Sequence, residues 1–267
     1  RACFGIALFS LSLEKRKFQV KTSIKHIFIG FIQGITEFLP VSSSGHVVLF
    51  GSLFDLDNLL LISVVAHIGT LFAVLFCYRK QIFELVRHPI NKTNFNLILA
   101  TIPTIIIVLL FNKILEDNFS TKTLVWGFLI SAILLIVADL KKEKYKPITK
   151  RSALYMGLSQ GLALLPGISR SGSTLVCGLL AGVEKEQACD FSFLMSIPII
   201  LASAVYETFK LLSAQITINW FGIFLVMLSS FIFGILSIKI MLKTLKKNKL
   251  YYFSIYLIVL SLIVLFI

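Results

Sequence analysis

The chain has 267 residues, 57% of them apolar and only 15% charged, with a mean hydropathy of +0.91, a usage far outside soluble globular proteins and inside that of polytopic membrane proteins. The formal net charge is +13, but the basic residues sit in short connectors between apolar runs, on neither an amphipathic surface nor an aromatic platform, so membrane topology explains them and nucleic acid is excluded as a partner. Cys3, Cys77, Cys177 and Cys189 show no CxxC spacing and lie mostly in or beside apolar runs, which indicates neither a disulfide framework nor a zinc site.

In chain order, residues 1–21 form an N-terminal extension whose apolar start, RACFGIALFSLSL, is too short to span a bilayer, and no role is assigned to it. Residues 26–54 read as two short apolar arms joined by the polar stretch QGITEFLPVSSSGH, Gln33 to His46. Runs at 59–77, 94–111 and 124–140 are each long enough to cross as a helix. A second broken region follows at 152–182, around QGLALLPGISRSGS at Gln160 to Ser173, and then runs at 190–208, 219–242 and 250–267. The expected fold is all-α, with six transmembrane helices and two broken elements. Each broken element is either a re-entrant helix pair or an interrupted helix that crosses, and the sequence leaves both open.

The two polar stretches align without a gap at an offset of 127 residues, placing Gln33 on Gln160, Ser42 on Ser169, Ser44 on Ser171 and Gly45 on Gly172. The chain therefore reads as a duplication, 22–145 and 149–267, within one membrane domain, 22–267. Re-entrant elements would leave three crossings per half and invert the second half, with the site where the halves meet. The connectors holding Arg79, Lys80, Arg87 and Lys92, then Lys141 to Arg151, then Lys243 to Lys249 all fall on one side, the cytoplasmic one by their charge. Lys15, Arg16, Lys17, Lys21 and Lys25 conflict with this: either the N-terminus lies along the surface, or the first broken element crosses fully.

Lipid offers no partner to open backbone or charge, so Glu37, His46 and Arg170 inside serine-rich, Pro/Gly-broken segments require a wet or ligand-filled cavity. Gln33 and Glu37 are four residues apart and share a helix face. A mid-membrane guanidinium such as Arg170 needs a partner, and its fork suits phosphate oxygens; an ion pair with Glu37 across the repeats is the bland reading, and would open on substrate arrival. The loops SSSGH and SRSGST offer hydroxyls and close backbone approach to an anion, and Ser43 lies near enough to His46 for a nucleophile and base pair. His67, Pro103 and Pro198 sit in apolar spans and read as structural, His26 and His88 as interfacial, and Asp139 as facing the cytoplasmic interface. Glu37 has its own bland reading as a cap on the following loop.

QGITEFLPVSSSGH and PGISRSGST, Pro166 to Thr174, resemble the two signature motifs of the undecaprenyl-diphosphate phosphatase family, associated with bacitracin resistance; the likeness extends to FSFLMSIP, Phe191 to Pro198, and covers 22–267. The resemblance implies a multi-pass enzyme of the bacterial cytoplasmic membrane that hydrolyses undecaprenyl diphosphate to the monophosphate and phosphate, recycling the carrier for cell-wall synthesis, with its site opening to the outer side. It implies catalytic roles for Glu37, Ser43, His46 and Arg170, and substrate contacts from Gln33, Ser42, Ser44, Gly45, Gly167, Ser169, Ser171, Gly172, Ser173 and Thr174. It also implies a divalent cation, Mg2+ first and Ca2+ second, held by Glu37 and Gln33 with substrate phosphates. One carboxylate is a weaker hard-cation site than two. The attacking group remains open among Ser43, His46 and water. The lipid substrate and the membrane are the expected partners, with a homodimer admissible. The rival reading is a polyprenyl-phosphate transporter using the same inverted-repeat cavity.

Overall fold

The computed structural model describes residues 23–54, 56, 58–117, 121–140, 146–212, 219–247 and 249–266, so the N-terminal extension lies outside the described residues. Eleven helices make up these residues: α1 (23–38), α2 (Ser43–Leu53), α3 (Leu59–Cys77), α4 (Arg79–Arg87), α5 (Lys92–Asp117), α6 (Thr121–Leu140), α7 (Lys150–Leu162), α8 (Arg170–Leu180), α9 (Lys185–Leu212), α10 (Trp220–Lys246) and α11 (Tyr251–Leu265). Five of them, α3, α5, α6, α9 and α10, are long and apolar enough to cross a membrane. The sixth expected span is shorter than its apolar run: α11 has 15 residues, about 22 Å against a hydrocarbon core of about 30 Å. Its start is fixed by Asp139 at the end of α6, whose carboxylate accepts the Tyr251 N–H at 2.6 Å, and it then packs along α6, where Ser261 donates to the Val125 carbonyl. Large apolar side chains such as Phe72, Leu109, Trp126, Phe224 and Ile255 face outward, the inside-out pattern of a lipid-facing surface.

Both broken elements are hairpins. Phe28, early in α1, packs its ring against Phe50 and Phe54 at the far end of α2, at 5.6 and 5.3 Å, and Lys25 donates to the Phe54 carbonyl. The chain has turned back on itself, so the first element does not cross. The second does the same: Lys146, before α7, exchanges backbone hydrogen bonds with Gly182 and Glu184, after α8, and Gly178 of α8 lies against Met156 of α7. With arms of 11 to 16 residues, about 17 to 24 Å long, neither hairpin reaches across. Three long helices, α3, α5 and α6, separate the two hairpins, which therefore enter from opposite faces and meet tip to tip. There Ser171 Oγ donates to the Leu39 carbonyl at 2.9 Å, and a methyl on Gly172 would lie 3.1 Å from Pro40 Cβ.

Glycine allows this density of helix packing. A Cβ on Gly157 of α7 would sit 2.0 Å from the Ala100 carbonyl oxygen of α5, in a place where the obstructing atom is backbone. Gly157→Ala is expected to destabilise the protein by about 1–3 kcal/mol through overpacking, read as a lowered melting temperature in detergent; an unchanged melting temperature would mean α5 and α7 separate freely. On the basic-connector face the Tyr78 hydroxyl donates to Asp190 at 2.7 Å, tying the end of α3 to α9. Burial, reinforced by the Asp190 charge, holds that phenol well above its usual range, so it remains a donor.

Candidate active site

The hairpin tips enclose a cavity of about 240 Å³, reaching from Glu37, Ser43 and Arg170 past Leu60 and Ser63 of α3 to Ser203 and Glu207 of α9. Leu60 lies at the start of α3 and Glu207 near the end of α9, so the cavity opens on the face opposite the basic connectors.

Glu37 is the hub. Its side chain is only 4% exposed and is held by four neighbours. One oxygen, Oε1, forms an ion pair with Arg170 Nη2. The other, Oε2, accepts from Ser43 Oγ at 2.5 Å and from Gln33 Nε2 at 2.8 Å, and His67 Nε2 lies 3.8 Å away. Arg170 opens α8, and its Nη1 is buried without a hydrogen-bond partner: one arm of the guanidinium holds the carboxylate and the other is unspent. Helices α2 and α8 both begin at the cavity, so the positive ends of two helix dipoles converge on it.

The two loops achieve their turns differently. In the second hairpin Ser169 is an ordinary N-cap, its hydroxyl accepting the Gly172 N–H at 3.1 Å. In the first, Ser42 stands at φ 69° and makes no side-chain cap, a left-handed conformation uncommon for a residue with a Cβ. His46 holds it there: Nδ1 lies 2.7 Å from the Ser42 carbonyl oxygen, which can only accept, so Nδ1–H donates. Nε2 is hydrogen-bonded to the Tyr256 hydroxyl, 2.6 Å away, and the two rings stack 5.7 Å apart with their planes within 10°. Phe128 packs edge-on against the imidazole.

The structure thus brings Glu37, Ser42, Ser43, Ser44, Ser169, Arg170 and Ser171 to one cavity and leaves other expected groups off its wall. His46 does not meet the Ser43 hydroxyl; both its nitrogens are engaged, one by the loop backbone and the other by α11. Gly45 lies against Phe128, and Gly167, at φ +82°, turns beneath the Leu124 carbonyl. Gly172 is packed at the tip contact, Thr174 bonds Arg170 O and Ser192, and Ser173 is buried with an unpaired hydroxyl. Gln33 is wholly buried behind Glu37, its Oε1 without a hydrogen-bond partner. Two cavity groups escaped the sequence reading. His67, taken there as structural, faces Glu37 from α3 while its Nδ1 donates to the Ser63 carbonyl at 2.8 Å. Glu207 is an acid inside an apolar run, and that was the available signal.

The expected cation site at Gln33 and Glu37 does not fit a divalent ion. Glu37 already carries a guanidinium on one oxygen and two donors on the other, so an arriving cation would displace or oppose Arg170, and Gln33 does not reach the cavity wall. Among the described residues no three His, Cys, Asp or Glu side chains cluster closely enough to hold a metal ion.

A family model described as Bacitracin resistance protein BacA matches residues 26–263. The undecaprenyl-diphosphatase of Carboxydothermus hydrogenoformans is 39% identical over 246 residues, covering 88% of this chain and 93% of that protein. The protein of the same name from Thermosipho africanus is 39% identical over 254 residues, covering 91% of this chain and all of its own length. Undecaprenyl-diphosphatase 3 of Bacillus cereus is 37% identical over 239 residues, with 87% and 92% covered.

Proposed function

The chain belongs to the bacitracin resistance protein BacA family, and we propose that it hydrolyses undecaprenyl diphosphate to undecaprenyl phosphate and inorganic phosphate, with Ser43 as the attacking group. The names of its relatives supply the substrate. The 2.5 Å hydrogen bond from Ser43 Oγ to Glu37, inside a cavity that also presents an unpaired guanidinium nitrogen, carries the mechanism.

The diphosphate enters between the hairpin tips with its prenyl chain in the lipid, and Arg170 Nη1 takes an oxygen of the terminal phosphate while Nη2 stays on Glu37. Ser43 Oγ attacks the terminal phosphorus as its proton passes to Glu37. The bond from that phosphorus to the bridging oxygen breaks, and polyprenyl monophosphate leaves. Water then attacks the phosphoserine, the Ser43 O–P bond breaks, the serine oxygen recovers a proton, and phosphate is released. His67, whose Nε2 faces the cavity 3.8 Å from Glu37, is placed to take the proton of that water. Positioning and charge neutralisation supply most of the acceleration, and every group named comes from one chain. Anion transport would need donors and positive charge but no hydroxyl aligned on a carboxylate. With the basic connectors inside, the cavity opens to the outer face of the cytoplasmic membrane.

Phosphate release from a polyprenyl diphosphate by the purified protein tests this reading; release by wild type that persists in Ser43→Ala would remove serine from the chemistry. His67→Ala is expected to slow turnover by roughly tenfold or more, and near-normal kcat would return His67 to a structural role.

A further inference from the structure

Helix α3 ends at Cys77, whereas α10, which packs along it, runs on to Lys246. The two are close up to that end: a methyl on Gly234 would meet Ala73 Cβ at 2.8 Å, and Phe231 lies edge-on to Phe76 with ring centroids 6.1 Å apart. The chain then turns aside into α4, and the last turns of α10 lose their neighbour. An open cleft of about 740 Å³ is left between the corner of α3 and α4, the end of α10 and the start of α9. It lies on the basic-connector face, away from the mouth of the active-site cavity.

Four basic residues, Arg79, Lys80, Lys239 and Lys246, line this cleft against two acids, Glu186 and Asp190. Both acids are spent. Glu186 pairs with Lys246 at 3.1 Å, and Asp190 accepts from the Tyr78 hydroxyl at 2.7 Å. No carboxylate among the described residues pairs with Arg79, Lys80 or Lys239. Arg79 donates to the Phe76 carbonyl at 2.9 Å and lies over the Phe76 ring; these contacts hold the guanidinium at the cleft and leave its charge unneutralised. Topology does not account for Lys239 either. Lys243, Lys246 and Lys247 already mark that end of α10, and Lys239 stands two turns deeper than Lys246, about 10 Å, between Ile238 and Ile240. Beneath these cations the walls are apolar: Phe76 and Ile235 line the cleft, and exposed Phe72 and Ile232 continue it down the lipid-facing surface.

We propose that this cleft binds an anionic phospholipid of the leaflet on that face, with its phosphodiester held by Arg79 and Lys239 and an acyl chain lying along Phe76 and Phe72. Basic pockets between transmembrane helices hold such head groups. A free phosphate would use the cations and leave the apolar wall bare. A zwitterionic lipid brings its own ammonium, so it leaves the excess positive charge of the cleft unanswered. The bound lipid takes the place beside α10 that α3 vacates, and bridges α10 to the corner of α3 and α4. The inference does not rest on the diphosphatase reading.

Native mass spectrometry of the detergent-solubilised protein tests it, with affinities measured for dioleoylphosphatidylglycerol and dioleoylphosphatidylcholine and with inorganic phosphate as a competitor. Wild type is expected to bind the first phosphatidylglycerol about tenfold or more tightly than phosphatidylcholine. Arg79→Gln and Lys239→Gln should each weaken phosphatidylglycerol by about fivefold, and the double variant should bind both lipids alike. Lys243→Gln, a cation of the same helix end that does not line the cleft, should change affinity by less than about twofold. Equal affinity of wild type for the two lipids would overturn the proposal, as would unchanged phosphatidylglycerol affinity in the double variant. A loss in Lys243→Gln as large as in Lys239→Gln would show diffuse surface charge in place of a site, and displacement of the lipid by inorganic phosphate at matching concentration would make the free anion the ligand. Should Arg79→Gln fail to fold, Lys239→Gln with Lys80→Gln decides by the same criteria. None of these outcomes bears on phosphate release at the hairpin tips.

Discussion

Arg170→Ala is expected to lower kcat/KM for polyprenyl diphosphate by about 10³-fold or more, the scale of a lost arginine clamp on a transferring phosphoryl group. The guanidinium has two tasks at once, since Nη2 pairs with Glu37 and Nη1 is left for the substrate. Lysine supplies one point charge and no fork, so Arg170→Lys should recover only part of the loss. Arg170→Ala also leaves Glu37 buried without its cation, a change that costs about 3–5 kcal/mol for a buried pair; the contacts from Gln33, Ser43 and His67 remain and place the cost at the low end. A double substitution separates the two effects. Adding Glu37→Gln to Arg170→Ala removes the stranded charge and should restore much of the melting temperature while leaving turnover abolished. Near-normal phosphate release from folded Arg170→Ala would overturn the clamp, and a double variant no more stable than the single would show that the ion pair is not what burial of Glu37 depends on.

Arg170, Glu37 and Ser43 were legible in the sequence because a charge or a serine cluster in an apolar chain has few explanations, each of which ends at a polar cavity. What each side chain faces was not legible. Ser43 and His46 are three apart on α2, yet the serine opens the helix and turns back to Glu37, while the imidazole points to Tyr256, 210 residues along the chain. Nothing local announces that partner. His67 was hidden for the same reason: which face of α3 meets α1 is a tertiary fact, and a histidine in an apolar run looks alike in either orientation. The hairpins were ambiguous because arms of 11 to 16 residues suit a doubled-back pair and an interrupted crossing equally well. Contacts such as Phe28 with Phe54 decide between them, and spacing cannot. Glu207 is a different case, since an acid in an apolar run was itself the signal.

Ser43→Ala and His46→Ala are expected to fail for different reasons. Loss of the attacking oxygen should reduce kcat by about 10⁴-fold or more, and rapid acid quenching of wild type with substrate labelled in the terminal phosphate should leave label on Ser43. His46 acts through the loop. Its Nδ1–H holds the Ser42 carbonyl and with it the left-handed turn at φ 69°, a conformation that costs about 1–3 kcal/mol and persists only while its surroundings enforce it. Without the imidazole the turn relaxes and Ser43 drifts from Glu37; a displacement of about 1 Å is enough for a loss of roughly 10²-fold. His46→Asn, whose amide N–H can still donate to that carbonyl, should recover part of the rate. Tyr256→Phe, which removes the hydrogen bond to Nε2 and retains the ring stack, should cost less than His46→Ala. The pH profile separates positioning from proton transfer. A positioning role leaves the shape of the profile unchanged as its height falls, whereas a base at His46 would take one limb of the profile with it. Label recovered on His46, or a limb lost in His46→Ala, would move the attacking or accepting group from the Ser43–Glu37 pair to the imidazole.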